Sequence, residues 1–321
     1  MVDRRRRGPL NGAAQESPHT SAPDRMPDID PDGKRRLDAP PSLLTCIEPP
    51  RGWRLINCRE LFQFRDLVRF LVLRDLKAMY AQSVLGWGWA VGQPLLTMVL
   101  FTVVFGRLAR MPTDGLPAPL FFLAGIVPWT YFSAALTAAT NSLITQGNLV
   151  SKVYVPRLII PLTPILAKLV DFAVAVIVLF GFAAAYGVVR HSGFEFVPNT
   201  RLLVLPMAIG ILVTFTAGAG FLLSALAVQF RDVKFALPFL TQFLMFAAPI
   251  VWPASLLPDR SRLLAGMYPM FGVIEAFRSA LKPTHPVPWD LLISGGVGAA
   301  LIAGIGLVVY RQQERVFADV A

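Results

Sequence analysis

Residues Arg74–Leu96 read RDLKAMYAQSVLGWGWAVGQPLL, and this stretch decides the fold. It opens with charges on a helical pattern and carries none after Lys77. It then continues through glycines, two tryptophans and Pro94 in what reads as one continuous helix. A charged amphipathic segment that passes straight into an uncharged one marks the boundary between water and lipid.

The composition agrees. Of 321 residues, 55% are apolar and 16% are charged, well below the roughly 25% charge of soluble domains. Up to Lys77 the chain has fifteen Lys/Arg and eleven Asp/Glu; beyond it the charges fall in clusters between long neutral runs. Only a bilayer can solvate that much apolar surface. The net charge of +10 suits anionic headgroups or an acidic soluble partner. Nucleic acid is disfavoured, because the basic residues form no stripe interleaved with aromatics.

Uncharged runs occupy 78–106, 115–151, 172–189, 202–230, 235–258 and 291–310. About 20 helical residues cross a hydrocarbon core of about 30 Å. The expected fold is therefore an all-α polytopic membrane protein with six spans, near 86–106, 119–145, 161–187, 202–229, 235–256 and 290–310. An even number of spans places both termini on one side. Lys/Arg near the spans are almost balanced, and the basic N-terminal tail tips the termini to the cytoplasm. Arg4–Arg7 is followed by Gly8-Pro9 and polar residues, which is not a signal-peptide pattern. Residues 1–58, rich in Pro, Asp, Arg and Ser, read as a disordered cytoplasmic tail, and 59–321 as the membrane domain. Cys46 and Cys58 are expected as free thiols. DIDPDG (Asp28–Gly33) imitates a calcium loop, but Ala39 stands where the loop needs Glu.

Ahead of the first span, residues 60–80 read as an interfacial helix. Arg65, Asp66 and Arg69 share one side, while Leu61, Phe64, Leu67, Val68, Leu71 and Val72 cover the other. Arg74-Asp75 interrupts the pattern and predicts a bend. Such a helix is either a plain anchor or a lever on which a cytoplasmic partner pushes. Gly88 with Gly92, Gly295-Ala299-Ala303 and Gly296-Ala300-Gly304 are spaced for close helix packing. Lys168 and Asp171 are placed to pair at i, i+3 near the start of the third span, more as structure than as a site.

Catalytic signatures are missing. The chain has no GxxxxGK[ST] phosphate loop and no G-x-S-x-G or Cys/His arrangement, and His19, His191 and His285 are not spaced for a metal. No catalytic residue, metal or cofactor is expected on this chain.

From about Glu60 onward the chain resembles the membrane subunit of ABC-2 type transporters, in the branch that exports O-antigen, capsule or teichoic-acid polymers. The match is carried by RDLKAMYAQSVLGWGWAVGQPLL, by FFLAGIVPWTYFSAALTAATNSLITQGNLVSKVYVPRLIIPL (Phe121–Leu162) and by YRQQERVFADV (Tyr310–Val320). The resemblance implies a homodimer in the bacterial inner membrane with two copies of a separate ATPase, which holds the ATP and Mg. The implied substrate is a glycan on a polyprenyl diphosphate. It implies that GNLVSKVYVPR (Gly147–Arg157) docks on the ATPase through Asn148, Leu149, Lys152, Tyr154, Pro156 and Arg157, with Arg65, Arg69, Arg74 and Asp75 of the interfacial helix beside it. An ordinary cytoplasmic loop is the plainer reading of that segment.

Residues 259–288 are too short and charged to span. The resemblance makes them two re-entrant gate helices turning at Tyr268-Pro269, with Glu275 and Arg278 on the second; a surface-lying helix is the alternative. Sugar rings stack on aromatic faces, so Trp87, Trp89, Phe101, Phe105, Trp129, Tyr131, Phe132, Phe243, Phe246 and Trp252 are candidate channel residues, fewer than half of which are expected to line it. The rivals are an ABC-2 exporter of a drug or small lipid, a membrane enzyme acting on the lipid carrier, and a passive channel. The last two lack, respectively, a clustered acid/base pair and a charged ring.

Overall fold

The computed structural model describes residues 63–81, 88–145, 156–190, 200–282 and 286–314. Every regular element among them is helical, as lipid demands of a backbone with no water to bond. The helices are α1 (Arg65–Tyr80), α2 (Gly88–Phe101), α3 (Ala118–Thr145), α4 (Ile159–Arg190), α5 (Leu205–Gln229), α6 (Asp232–Ala247), α7 (Asp259–Gly266), α8 (Met270–Leu281) and α9 (Trp289–Glu314). A π-helical stretch, Thr102–Leu108, extends α2, and a 3-10 turn, Thr200–Val204, leads into α5. Five segments are long and apolar enough to cross a membrane: Gly88–Leu108, Ala118–Thr145, Ile159–Gly187, Thr200–Gln229 and Trp289–Gln313. This is an all-α polytopic membrane protein.

Hydrogen bonds mark the two ends of the bundle. At one, the Tyr310 hydroxyl donates to the Arg157 carbonyl at 2.7 Å, and the Gln313 amide donates to Gln229 at 2.9 Å. At the other, Ser255 donates to Asp114 at 3.0 Å and Lys282 to the Gly115 carbonyl at 2.9 Å. The segment expected as a fifth span begins with α6, whose 16 residues reach only about 24 Å. Its chain nevertheless starts beside Gln229 at the first end and reaches Ser255 at the second, finishing in turns from Ala248 to Pro253.

Helix α3 is the axis of the core. Leu120 to Trp129 are buried without a break, against α4, α5 and α8. A stretch enclosed on all sides needs no polar face; just beyond it, hydroxyls bond to the helix's own backbone, as Thr130 does to the Ile126 carbonyl at 2.6 Å.

The Arg74–Leu96 stretch is not one helix. Helix α1 ends at Tyr80, Ala81 is extended, and α2 begins at Gly88. Nor is there a bend at Arg74-Asp75, where α1 continues uninterrupted; the run around it has no Gly or Pro to kink it. Small-residue packing is used on only one of the registers expected, and on another besides. Gly92 and Gly304 face open space, and Gly296 meets only the tip of Ile211. On α9, Gly298 faces the Met267 carbonyl, and Gly306 faces the Gly218 carbonyl of α5. A Cβ on Gly218 would lie 2.5 Å from the Ala303 Cα. The Gly295-Ala299-Ala303 face does pack closely: Gly295 lies against Pro269, and Ala299 is buried. A helix this rich in small residues offers several such faces, and the neighbours select among them.

Helices α7 and α8 form a hairpin that begins and ends at the Asp114 end. Arg262 pairs with Asp290 at the mouth, at 2.6 Å. The turn at Met267–Pro269 lies deeper, against Gly298 and Gly295 of α9. All 12 residues of α8 are buried.

Candidate functional site

Three places concentrate polar chemistry. The first is the Tyr310 end. Of the expected coupling residues, Asn148, Leu149, Lys152 and Tyr154 lie outside the described residues. Pro156 and Arg157 open the turn into α4, where the Pro156 carbonyl accepts from the Ile159 N–H at 2.9 Å. Arg65 and Arg69 are exposed on α1, opposite Leu71, which packs on Ile159 with Phe64, Leu67 and Val68. That is the amphipathic division expected, except that the apolar face lies on α4. Arg74 and Asp75 pair with each other at 2.8 Å. Sequence reasoning gave Tyr310 no role, because its partner is 153 positions away.

The second is a cavity of about 320 Å³ between the end of α1 and helices α2, α3 and α4. Its wall includes Tyr80, Trp89, Gln93, Thr130, Tyr131, Ser133, Lys168, Asp171 and Phe172. Lys168 pairs with Asp171 at 2.9 Å, as the i, i+3 spacing anticipates. The Tyr80 hydroxyl also donates to Asp171, a contact the sequence could not reveal. This bond and the Leu71–Ile159 contact have α1 running alongside α4 in the same direction. Tyr80 lies outside the spans, and its hydroxyl is held protonated, first by burial and then by the carboxylate beside it.

The third is a clasp on α8. Arg278 donates to Glu275 at 2.8 Å and to the Ile250 carbonyl at 3.1 Å, and its guanidinium lies 3.5 Å over the Phe121 ring. Glu275 accepts from the Ala254 N–H at 3.1 Å. The broken chain after α6 exposes backbone groups that lipid cannot satisfy, and this ion pair satisfies two of them. Tyr268, at the hairpin turn, donates to the Leu244 carbonyl of α6 at 3.2 Å.

The candidate channel aromatics separate into groups. Trp129 and Phe132 are buried within the protomer, where Phe132 stacks on Phe215 at 4.8 Å; they line no open path there. Phe101 and Phe105 pack with each other at 5.3 Å and on Phe122. Trp252 packs on Phe271. Trp89 and Tyr131 belong to the cavity. Phe243 and Phe246 are exposed on α6, continuing a stripe begun by Phe235 and Phe239 that was legible in the i, i+4 spacing and was overlooked. Trp87 lies outside the described residues. Among the described residues, no group of His, Cys, Asp and Glu could hold a metal ion.

Comparison with known proteins fits this arrangement. The O-antigen export system permease protein RfbA of Myxococcus xanthus is 28% identical over 232 residues, covering 72% of this chain and 85% of the relative. The protein of the same name from Klebsiella pneumoniae is 24% identical over 256 residues, covering 79% and 95%. The polysialic acid transport protein KpsM of Escherichia coli is 24% identical over 259 residues, covering 77% and 93%. The ABC-2 type transporter family matches residues 66–282, and the chain belongs to that family.

Proposed function

We propose that this chain is the membrane-spanning subunit of an ATP-driven exporter that moves a lipid-linked polysaccharide out of the bacterial cytoplasm. Two copies work with two copies of a separate ATPase, which binds and hydrolyses the nucleotide. The carrying observation is that relatives named for O-antigen export and for polysialic acid transport align with more than two thirds of the chain.

Counting Asp232–Ser255, the chain crosses six times and both termini are cytoplasmic, so the Tyr310 end is the cytoplasmic one. The loop Gly147–Arg157 then faces the ATPase. Closure of the motor displaces this loop, and the displacement passes to α9 through Tyr310 and to α1 through Ile159, consistent with the contacts at those residues. The α7–α8 hairpin enters and leaves from the outer face, as a gate does, held shut by the Glu275–Arg278 clasp.

A strain lacking the gene is expected to lose surface polymer and to accumulate it in the cytoplasm. Drug sensitivity with normal surface glycan would favour a drug or small-lipid exporter instead. Replacing Lys152 and Arg157 by Glu is expected to weaken co-purification with the ATPase and to abolish export; unchanged assembly would remove the coupling role.

A further inference from the structure

The cavity at Asp171 has the chemistry of a carbohydrate site. Among the described residues, the only charged groups that line it are Lys168 and Asp171, which oppose each other, so this lining is neutral overall. An anionic ligand such as a diphosphate would gain from Lys168 and lose to the adjacent carboxylate. A hydroxyl-bearing ligand meets no such conflict. A carboxylate has about four acceptor positions and an ammonium three donors. The Asp171 oxygens accept one bond each from Lys168 and Tyr80, leaving capacity on the carboxylate and the ammonium alike.

The rest of the wall suits a sugar ring. Trp89 supplies a flat apolar face for C–H groups, and Gln93 adds an amide. A volume of about 320 Å³ is at the small end of ligand pockets, which run from about 300 to 1,000 Å³. Trp89 and Gln93 are both exposed in the first two turns of α2, so the mouth opens sideways from the protomer near the end where α1 joins. A ligand can enter there while a lipid tail attached to it stays in the bilayer.

We propose that this cavity binds one uncharged pyranose unit, held by Asp171 and Lys168 and stacked on Trp89. The assignment rests on the export reading above and places the first sugar contact within one protomer.

The test is saturation-transfer NMR of the full chain in lipid nanodiscs, probed with methyl glycosides of neutral hexoses and 6-deoxyhexoses. Saturable transfer to the ring C–H protons is expected, with affinity at least ten-fold weaker in Asp171→Asn and in Trp89→Leu. Trp89 is exposed, so its replacement removes the stacking face and leaves the core packing alone. Inorganic pyrophosphate and sialic acid are expected not to compete. Transfer no greater than for empty nanodiscs, affinity unchanged in Trp89→Leu, or displacement by pyrophosphate would each overturn the assignment. The outcomes separate from those of the export reading. If gene deletion abolishes surface polymer but no glycoside binds, the cavity assignment falls alone. If glycosides bind while deletion leaves surface polymer intact, the export reading falls.

Discussion

Two oppositely charged pairs with the same i, i+3 spacing lie within the bundle, in opposite circumstances. The Lys168 and Asp171 side chains keep 23% and 24% of their surface, while those of Arg278 and Glu275 keep 1% and 9%. The first pair lines a cavity, and the second is wrapped by the Ile250 carbonyl, the Ala254 N–H and the Phe121 ring. Among the described residues, Arg278 Nε is the one buried side-chain polar atom without a partner. Spacing establishes only that two charges meet. What surrounds them decides whether the pair fastens structure or leaves donors and acceptors to offer a ligand.

The comparison is most severely tested at Arg278. Arg278→Met leaves the Glu275 carboxylate buried without its cation, a loss of about 3–5 kcal/mol, and is expected to lower the unfolding midpoint in detergent sharply. The double change Glu275→Gln with Arg278→Met is expected to recover most of that loss, because a neutral pair of similar shape leaves no stranded charge. Lys168→Met is expected to cost less, about 1–3 kcal/mol, since Asp171 keeps Tyr80 and faces a cavity. It should weaken glycoside binding more than it lowers stability. Smallest is Tyr80→Phe, at about 0.5–1.5 kcal/mol for one hydrogen bond, read as a modest fall in the same midpoint. A Lys168→Met variant as unstable as Arg278→Met would erase the distinction.

Much of the fold was legible because charges cannot stay in hydrocarbon. The neutral runs from Lys77 to Arg107, Asp114 to Lys152, Asp171 to Arg190, Arg201 to Arg231 and Asp290 to Arg311 mark the long helices, and the Lys168–Asp171 pair could be read from its spacing. That 259–288 does not span was legible from length and charge, whereas its turn at Tyr268-Pro269 was implied by the family resemblance alone. Side-chain direction was not. In lipid, the face toward protein and the face toward solvent are both apolar, so nothing in the composition separates buried Trp129 from exposed Phe243. Partners remote in sequence were equally hidden: Tyr80 with Asp171, Tyr310 with Arg157, and Arg278 with Ile250. The break after Tyr80 escaped notice because the residues that follow it carry no charge.

The contact of Gly218 with Ala303 and Gly306 has a mechanical corollary. Backbones that touch without intervening side chains have no tolerance for sliding, so α5 and α9 are welded into a single beam. Tyr310 sits on that beam and grips the start of α4. A tug on the chain entering α4 is therefore delivered to two helices at once, and any opening of a path across the membrane has to occur along seams other than this one.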